Sequence, residues 1–298
     1  MLLSGSITAA TADSEVYDIV KTRIFSALVG LALLGAFFAF YNTIAADIAI
    51  TMISILGIWE AYHAAGITAK HKAVFFIAAL FGCMIPNIPI VGASGYYGVI
   101  LFNFAYKLFH HRDFSTMDAI YSVLTGTAIP LAFRLFISLR DQLGAEQGIL
   151  YLVFLLGSAW WCDTGGYFAG CLLGKHKLCP EISPKKTVEG LIGGLVLTVL
   201  GNIGLLMLIA SFCEHGIGFL AEPVQLNLLR IVLYSPILAL IGVLGDLSFS
   251  VIKRHFGIKD YGNIMPGHGG ILDRFDSVIF IAPAIYFIAS TPAFSIVL

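Results

Sequence analysis

The sequence predicts an all-α, polytopic transmembrane helix bundle of about nine spans with a cytoplasmic N-terminus. Three observations carry the helical, membrane-spanning part of that expectation. The first is composition: of 298 residues, 58% are apolar and only 12% are charged, where soluble domains run nearer a quarter charged. So few charges cannot solvate the surface of a globular chain this large. The second is that apolar runs of roughly 18 residues or more recur along the whole length, each long enough to cross a bilayer. The third is that these runs lack period-two alternation. In lipid every backbone N–H and C=O must be satisfied internally, so a spanning run without the alternation of a barrel is a helix.

Residues 1–22 read as a polar tail or short surface helix carrying Asp13, Glu15 and Asp18. They lack the basic start and small-residue cleavage site of a signal peptide. An N-terminal helical region, 23–145, holds five expected spans at 24–41, 46–64, 73–90, 95–109 and 117–139. The 95–109 run is short and glycine-rich for a span. A C-terminal region, 146–298, holds four more at 148–173, 188–212, 228–251 and 277–297, together with the polar residues of a site. Neither an internal repeat nor a soluble domain is visible.

The net charge of −1 is uninformative, but its distribution is not. On this layout one set of loops, from Lys21 and Arg23 to Lys259 and Arg274, holds fourteen of the seventeen Lys and Arg, while Arg140 falls in the other set. Basic loops stay cytoplasmic. The N-terminus is therefore expected inside and the C-terminus outside, consistent with an odd number of spans. The five cysteines, Cys83, Cys162, Cys171, Cys179 and Cys213, show no C-x-x-C spacing. They read as packing residues rather than a zinc site.

Two cytoplasmic stretches differ from the rest. The first runs from Asp163 through Lys175 and Lys177 to Lys185 and Lys186. The second begins at Gly245-Asp246 and passes Lys259, Asp260 and His268 on its way to Asp276. Asp246, Ser250 and Lys253 are four and three apart, so on a helix they share one face, as do Asp273 and Asp276. Ionisable groups at the edge of a span are costly and mark a site. Carboxylates from separate helices suit a hard cation such as Mg²⁺, with phosphate oxygens completing the shell. Lysines and arginines beside them hold polyphosphate. Gly267, Gly269 and Gly270 allow backbone N–H groups to approach a phosphate. Together these read as phosphoryl or nucleotidyl transfer. Simpler roles stand beside the functional ones: helix packing for Gly166, Gly170 and Gly174, an interhelix hydrogen bond for Asp163, topology signals for Lys185 and Lys186, and a turn for His268. Glu60 and His63, near the inner end of the second span, could pair with the site or with each other.

Residues 250–276 fit the pattern S-x-x-K-R, four residues, K-D-x-G, then P-x-H-G-G-x-x-D-R-x-D. This closely resembles the signature of the CDP-diacylglycerol synthases, or phosphatidate cytidylyltransferases. About ten fixed polar positions make the match specific. Met265 stands where Leu, Ile or Phe is usual. The D-x-G-x-Y at 163–167, G-K-H-K-L at 174–178 and S-P-x-K-T-x-E-G at 183–190 are similar to the family as well, as is Trp59-Glu60. The strong part of the likeness covers roughly the last 140 residues.

The resemblance implies that CTP and phosphatidic acid give CDP-diacylglycerol and pyrophosphate, in a Mg²⁺-dependent reaction of phospholipid biosynthesis. It makes Asp246 and Asp273 the principal metal ligands, with Asp163 and Asp276 as further candidates. It also implies a second cation, K⁺ or another Mg²⁺. Asp246, Asp273, Lys253 and His268 form the expected catalytic set. Lys185, Lys186, Ser250, Arg254, Lys259, Gly269, Gly270 and Arg274 are the expected substrate contacts. The expected partners are CTP, phosphatidic acid and membrane lipids, without nucleic acid, and a homodimer stays open. The expected location is a bacterial-type inner membrane, with the site facing the cytoplasm. Two other functions compete: a CTP-dependent lipid or polyprenol kinase, and a transporter. Transporters place their binding groups near the bilayer midplane, often in inverted repeats.

Overall fold

A computed structural model of the chain describes residues 4–84, 94–214, 224–267 and 269–297. Among these the elements are α1 (Ser4–Ala39), α2 (Ile44–Ala64), α3 (Ile67–Lys70), α4 (Lys72–Ile77), α5 (Ser94–Phe109), α6 (Thr116–Leu143) and α7 (Ala145–Leu173). A hairpin of β1 (Lys177–Cys179) and β2 (Ser183–Thr187) follows, then α8 (Val188–Glu214), α9 (Leu228–His255) and α10 (Leu272–Ser290). Five of these helices, α2, α6, α7, α8 and α9, are long and apolar enough to cross a membrane. The chain is a multi-pass membrane protein.

Each of the nine apolar runs meets a helix, with three differences. The polar tail and the first run form one helix of 36 residues, without a break at residue 22. The 73–90 run begins as α4 and continues as a π-helix, Ala78–Met84, and its remainder lies outside the described residues. The hairpin is the one β-sheet among the described residues, and it sits between helices rather than within a span.

Local chemistry sets the helix ends. Ser115 and Asp118 open α6 with a reciprocal capping box, at 2.9 and 3.2 Å, which satisfies two otherwise orphaned N–H groups. The Asn227 side chain accepts from Arg230 N at 3.2 Å to start α9. A single residue joins α6 to α7: Gly144, at φ 84°, a conformation glycine adopts at no steric cost.

Large apolar side chains cover the outside. Phe25, Leu101 and Leu229 are each 69% exposed, which suits lipid contact and not water. Inside, α7 and α8 meet along glycines. A Cβ at Gly165 would lie 2.7 Å from Gly193 O, one at Gly190 2.7 Å from Gly166 O, and one at Gly194 2.7 Å from Cys162 O. Lipid offers no hydrophobic drive for helix association, so close backbone approach of this kind replaces it. Gly170 and Gly174 face Thr187 at the end of the same seam. In the middle of the bundle Asn202 of α8 donates to Ser158 of α7 at 3.0 Å and to Ser235 of α9 at 3.1 Å. That pins α8 to α7 and α9, two of the helices whose ends build the site.

The two ends of the bundle differ in what their charges do. At one end Arg140 of α6 grips Asp47 of α2 at 2.8 and 3.2 Å and the carbonyl of Tyr41 at 3.1 Å. The loop before α9 is tied to the C-terminal segment at the same end, Asn227 N donating to Ile296 O at 2.8 Å. These contacts are architectural. The other end carries the chemistry.

Candidate functional site

Part of each of the two polar stretches is helical. Asp163 to Tyr167 lie within α7, and Gly245 to Arg254 form the last turns of α9. α7 ends at Leu173, as its expected span does, and α9 continues to His255, past its expected end at 251, so both carry polar side chains on rigid frames. The polar segments lack proline, and Lys and Arg lose little rotamer freedom in a helix.

The hairpin closes over these helix ends. Lys177 stands opposite Thr187 and Cys179 opposite Ser183. Successive strand residues face opposite sides, which separates the two neighbouring lysines. Lys185 is exposed, whereas Lys186 turns inward and forms an ion pair with Asp246 of α9. Glu189, in the first turn of α8, fixes the approach to the hairpin. It accepts the N–H of Lys175 at 3.0 Å and of His176 at 3.2 Å, and meets the His176 ring at 2.6 Å.

Asp246, Ser250 and Lys253 do lie along one face of α9. Ser250 donates to Asp246 Oδ1 at 3.4 Å. Lys253 reaches across to Asp273 of α10 at 2.9 Å, and the two side chains are only 9% and 4% exposed. The other oxygen of Asp273 accepts from Tyr261 N at 2.8 Å and Gly270 N at 3.0 Å. Asp273 thus organises the loop that precedes its own helix. That loop turns through Gly267 at φ 75° and Gly269 at φ 86°, where a side chain would be strained. The Lys253 ammonium also lies 5.6 Å from the centre of the Tyr261 ring, within cation–π range. Burial pushes the Tyr261 phenol above the ordinary tyrosine range, and its O–H donates to Phe249 O at 3.3 Å.

Asp163 of α7, Asp246 of α9 and Asp276 of α10 come close enough for their charges to act on one another. Lys186 and Arg274 act on Asp163, and Lys253 acts on Asp276. Three helices and the hairpin thereby bring three carboxylates and three cations to one place. Among the described residues no three Asp, Glu, His or Cys side chains converge as a ready-made metal cage. That still fits Mg²⁺, which binds through one or two carboxylates plus substrate phosphates and water rather than in an all-protein cage.

Other expected residues sit farther out. Arg254 is exposed and donates to Ile258 O at 3.2 Å, and Lys259 and Asp260 are exposed in the loop. The N–H of Gly270 is already committed to Asp273. His268 lies outside the described residues.

Glu60 was left without a role by the sequence. It is fully buried in α2, and its two oxygens accept the N–H groups of Ile271 and Leu272 at 2.9 and 2.8 Å. An acidic residue inside an apolar span was the visible signal. Its partners are backbone groups 211 and 212 positions away, which no local pattern reveals. His63 instead stacks on Trp59, centroids 5.0 Å apart.

Comparison with known proteins points to one family. The profile of the cytidylyltransferase family matches residues 21–291. A phosphatidate cytidylyltransferase of Staphylococcus haemolyticus is 36% identical over 78% of this chain and 79% of its own length. The Staphylococcus saprophyticus protein of the same name is 41% identical over 60% and 62% of the two chains. That of Staphylococcus aureus is 35% identical over 66% and 69%.

Proposed function

The chain belongs to the cytidylyltransferase family, and on that premise we propose that it converts CTP and phosphatidic acid into CDP-diacylglycerol and pyrophosphate. The observation that carries the reading is the gathering of Asp163, Asp246 and Asp276 with Lys186, Lys253 and Arg274 at one end of the bundle. A binding pathway through the bilayer would place charge near the midplane. Here the pinned centre, Ser158, Asn202 and Ser235, is uncharged.

A phosphate oxygen of phosphatidic acid attacks the α-phosphorus of CTP. A new P–O–P bond forms, the bond to the β-phosphate oxygen breaks, and its electron pair leaves with pyrophosphate. Lys186 and Arg274 would receive phosphate oxygens. Arrival of the nucleotide lets Lys186 exchange its carboxylate partner for a phosphate, which frees Asp246. Asp246, aided by Asp163 and Asp276, would hold Mg²⁺, which supplies neutralisation of the charge that builds on pyrophosphate. Asp273 already accepts three hydrogen bonds. A carboxylate has about four lone-pair sites, so it keeps one for a cation while fixing Lys253. The second cation, K⁺ or another Mg²⁺, rests on the family likeness.

The deciding experiment follows the phosphates of CTP. With purified protein, Mg²⁺ and phosphatidic acid, label at the α-phosphate enters the chloroform-soluble lipid and label at the γ-phosphate leaves in pyrophosphate. Transfer of γ-label to lipid instead would make the protein a CTP-dependent lipid kinase.

The site end is proposed to face the cytoplasm of a bacterial-type inner membrane, where CTP is available, with about nine spans and the N-terminus inside. The basis is the concentration of lysine and arginine in the loops of that end. A reporter fused after Lys259 is expected to read cytoplasmic and one after Gly216 external. Access to the second tag from the cytoplasm alone would overturn this orientation.

A further inference from the structure

We infer that Glu60 is a positioning residue for cytidylyl transfer, holding the 261–272 segment and the first turn of α10 in the geometry the site requires. The inference rests on the proposed function for its kinetic part and on the hydrogen bonds alone for its structural part.

An ionised carboxylate inside an apolar helix is costly unless strong donors meet it. Glu60 meets two, Ile271 N and Leu272 N. Ile271 is the cap of α10 and Leu272 its first residue. Their N–H groups are among those that an α-helix leaves without an internal partner, at the positive end of its dipole. The loop lies flat on the same carboxylate. A Cβ at Gly270 would fall 2.5 and 2.6 Å from its two oxygens, and Gly262 packs equally close. Neither glycine is required here by a positive φ. Each is required by the proximity of Glu60.

Three consecutive N–H groups are therefore divided between two carboxylates, Gly270 to Asp273 and the next two to Glu60. One consequence concerns the substrate. A helix N-terminus behind a glycine-rich turn is ordinarily an anion seat, but this one is already filled. The phosphates of the nucleotide are left to the cationic side chains around Asp246. The other consequence concerns geometry. Asp273 stands on the first turn that Glu60 anchors, with Asp276 just beyond it, and Asp273 in turn fixes Lys253. The remaining site groups come from the C-terminal half, so Glu60 is how α2 of the N-terminal half sets their placement.

Glu60→Gln tests this. The amide keeps the size, but its NH₂ must face one of the two N–H donors. The expected result is a kcat lowered about 100-fold, the scale of a small misplacement of reacting groups, with the KM for CTP nearly unchanged. Amide hydrogen exchange should quicken in 261–273 and nowhere else. Glu60→Asp keeps the charge with a shorter reach and should fall between. Tyr62→Phe, which removes a hydrogen bond from the same helix to Ser122 O at 2.7 Å, should leave both the loop exchange and kcat as in wild type.

A wild-type kcat in Glu60→Gln, or faster exchange spread equally over α2 and α6, would overturn the inference. If Glu60→Gln is not recovered folded, Glu60→Asp decides it by the same two readouts. A wild-type protein inert towards CTP condemns the functional reading instead, and the exchange comparison alone then decides whether Glu60 holds the loop.

Discussion

Asp246→Asn is expected to lower CDP-diacylglycerol formation about a thousandfold, the kinetic equivalent of losing roughly 4 kcal/mol from the transition state, while the protein inserts and purifies as wild type. Asp246 is the group on which the others converge: it pairs with Lys186, accepts from Ser250 and shares its surroundings with Asp163 and Asp276. Asn keeps the size, so no cavity opens. Its neutrality relieves repulsion with the two neighbouring carboxylates. Lys186 loses its partner, but the two side chains are 26% and 23% exposed, and a pair that wet contributes little to stability. What is lost is the charge that would hold Mg²⁺. Turnover measured across a Mg²⁺ titration, beside thermal stability in detergent, separates these effects. Near-normal turnover at saturating Mg²⁺ would sink the assignment, as would wild-type activity that survives excess chelator. Asp260→Asn, on an exposed loop residue, should change little.

The helical membrane class was legible because it depends on composition and run length, which need no knowledge of partners. The α9 face was legible for a similar reason: Asp246, Ser250 and Lys253 follow helical spacing, and that spacing held through His255. The end of the span was harder to place. Hydropathy stops where charge begins, but a helix does not, so α9 runs on to His255, past the expected end of its span at 251. The separation of Lys185 from Lys186 was hidden, since it depends on strand alternation in a hairpin of eight paired-strand residues too short to stand out in a lysine-rich loop. The task of the glycines was legible only in outline. Gly267 and Gly269 supply a turn, while Gly262 and Gly270 make room for Glu60. A glycine records that space is scarce, not what fills it.

The second large effect concerns Lys253 and Asp273, and it should look different from Asp246→Asn. Their ion pair is nearly shut off from solvent, at 9% and 4% exposure. Removing one partner of a buried pair strands the other charge, at a cost of about 3–5 kcal/mol. Lys253→Met and Asp273→Asn are each expected to be inactive and also clearly less stable. In Asp273→Asn the oxygen is drawn to the N–H groups of Tyr261 and Gly270, which turns the new NH₂ towards the Lys253 ammonium, so donor faces donor. The double variant removes that conflict. The Asn oxygen keeps the two backbone donors, the NH₂ meets a methionine side chain, and no bare charge is left inside. Stability should therefore return towards wild type, since neutral replacement of a whole buried pair is often nearly free, while turnover stays lost because the cation and carboxylate are both gone. Melting temperatures in detergent and kcat for the four proteins of the cycle measure the coupling directly. Strictly additive destabilisation would show that the two side chains do not stabilise one another, and recovered turnover in the double variant would remove both from the chemistry.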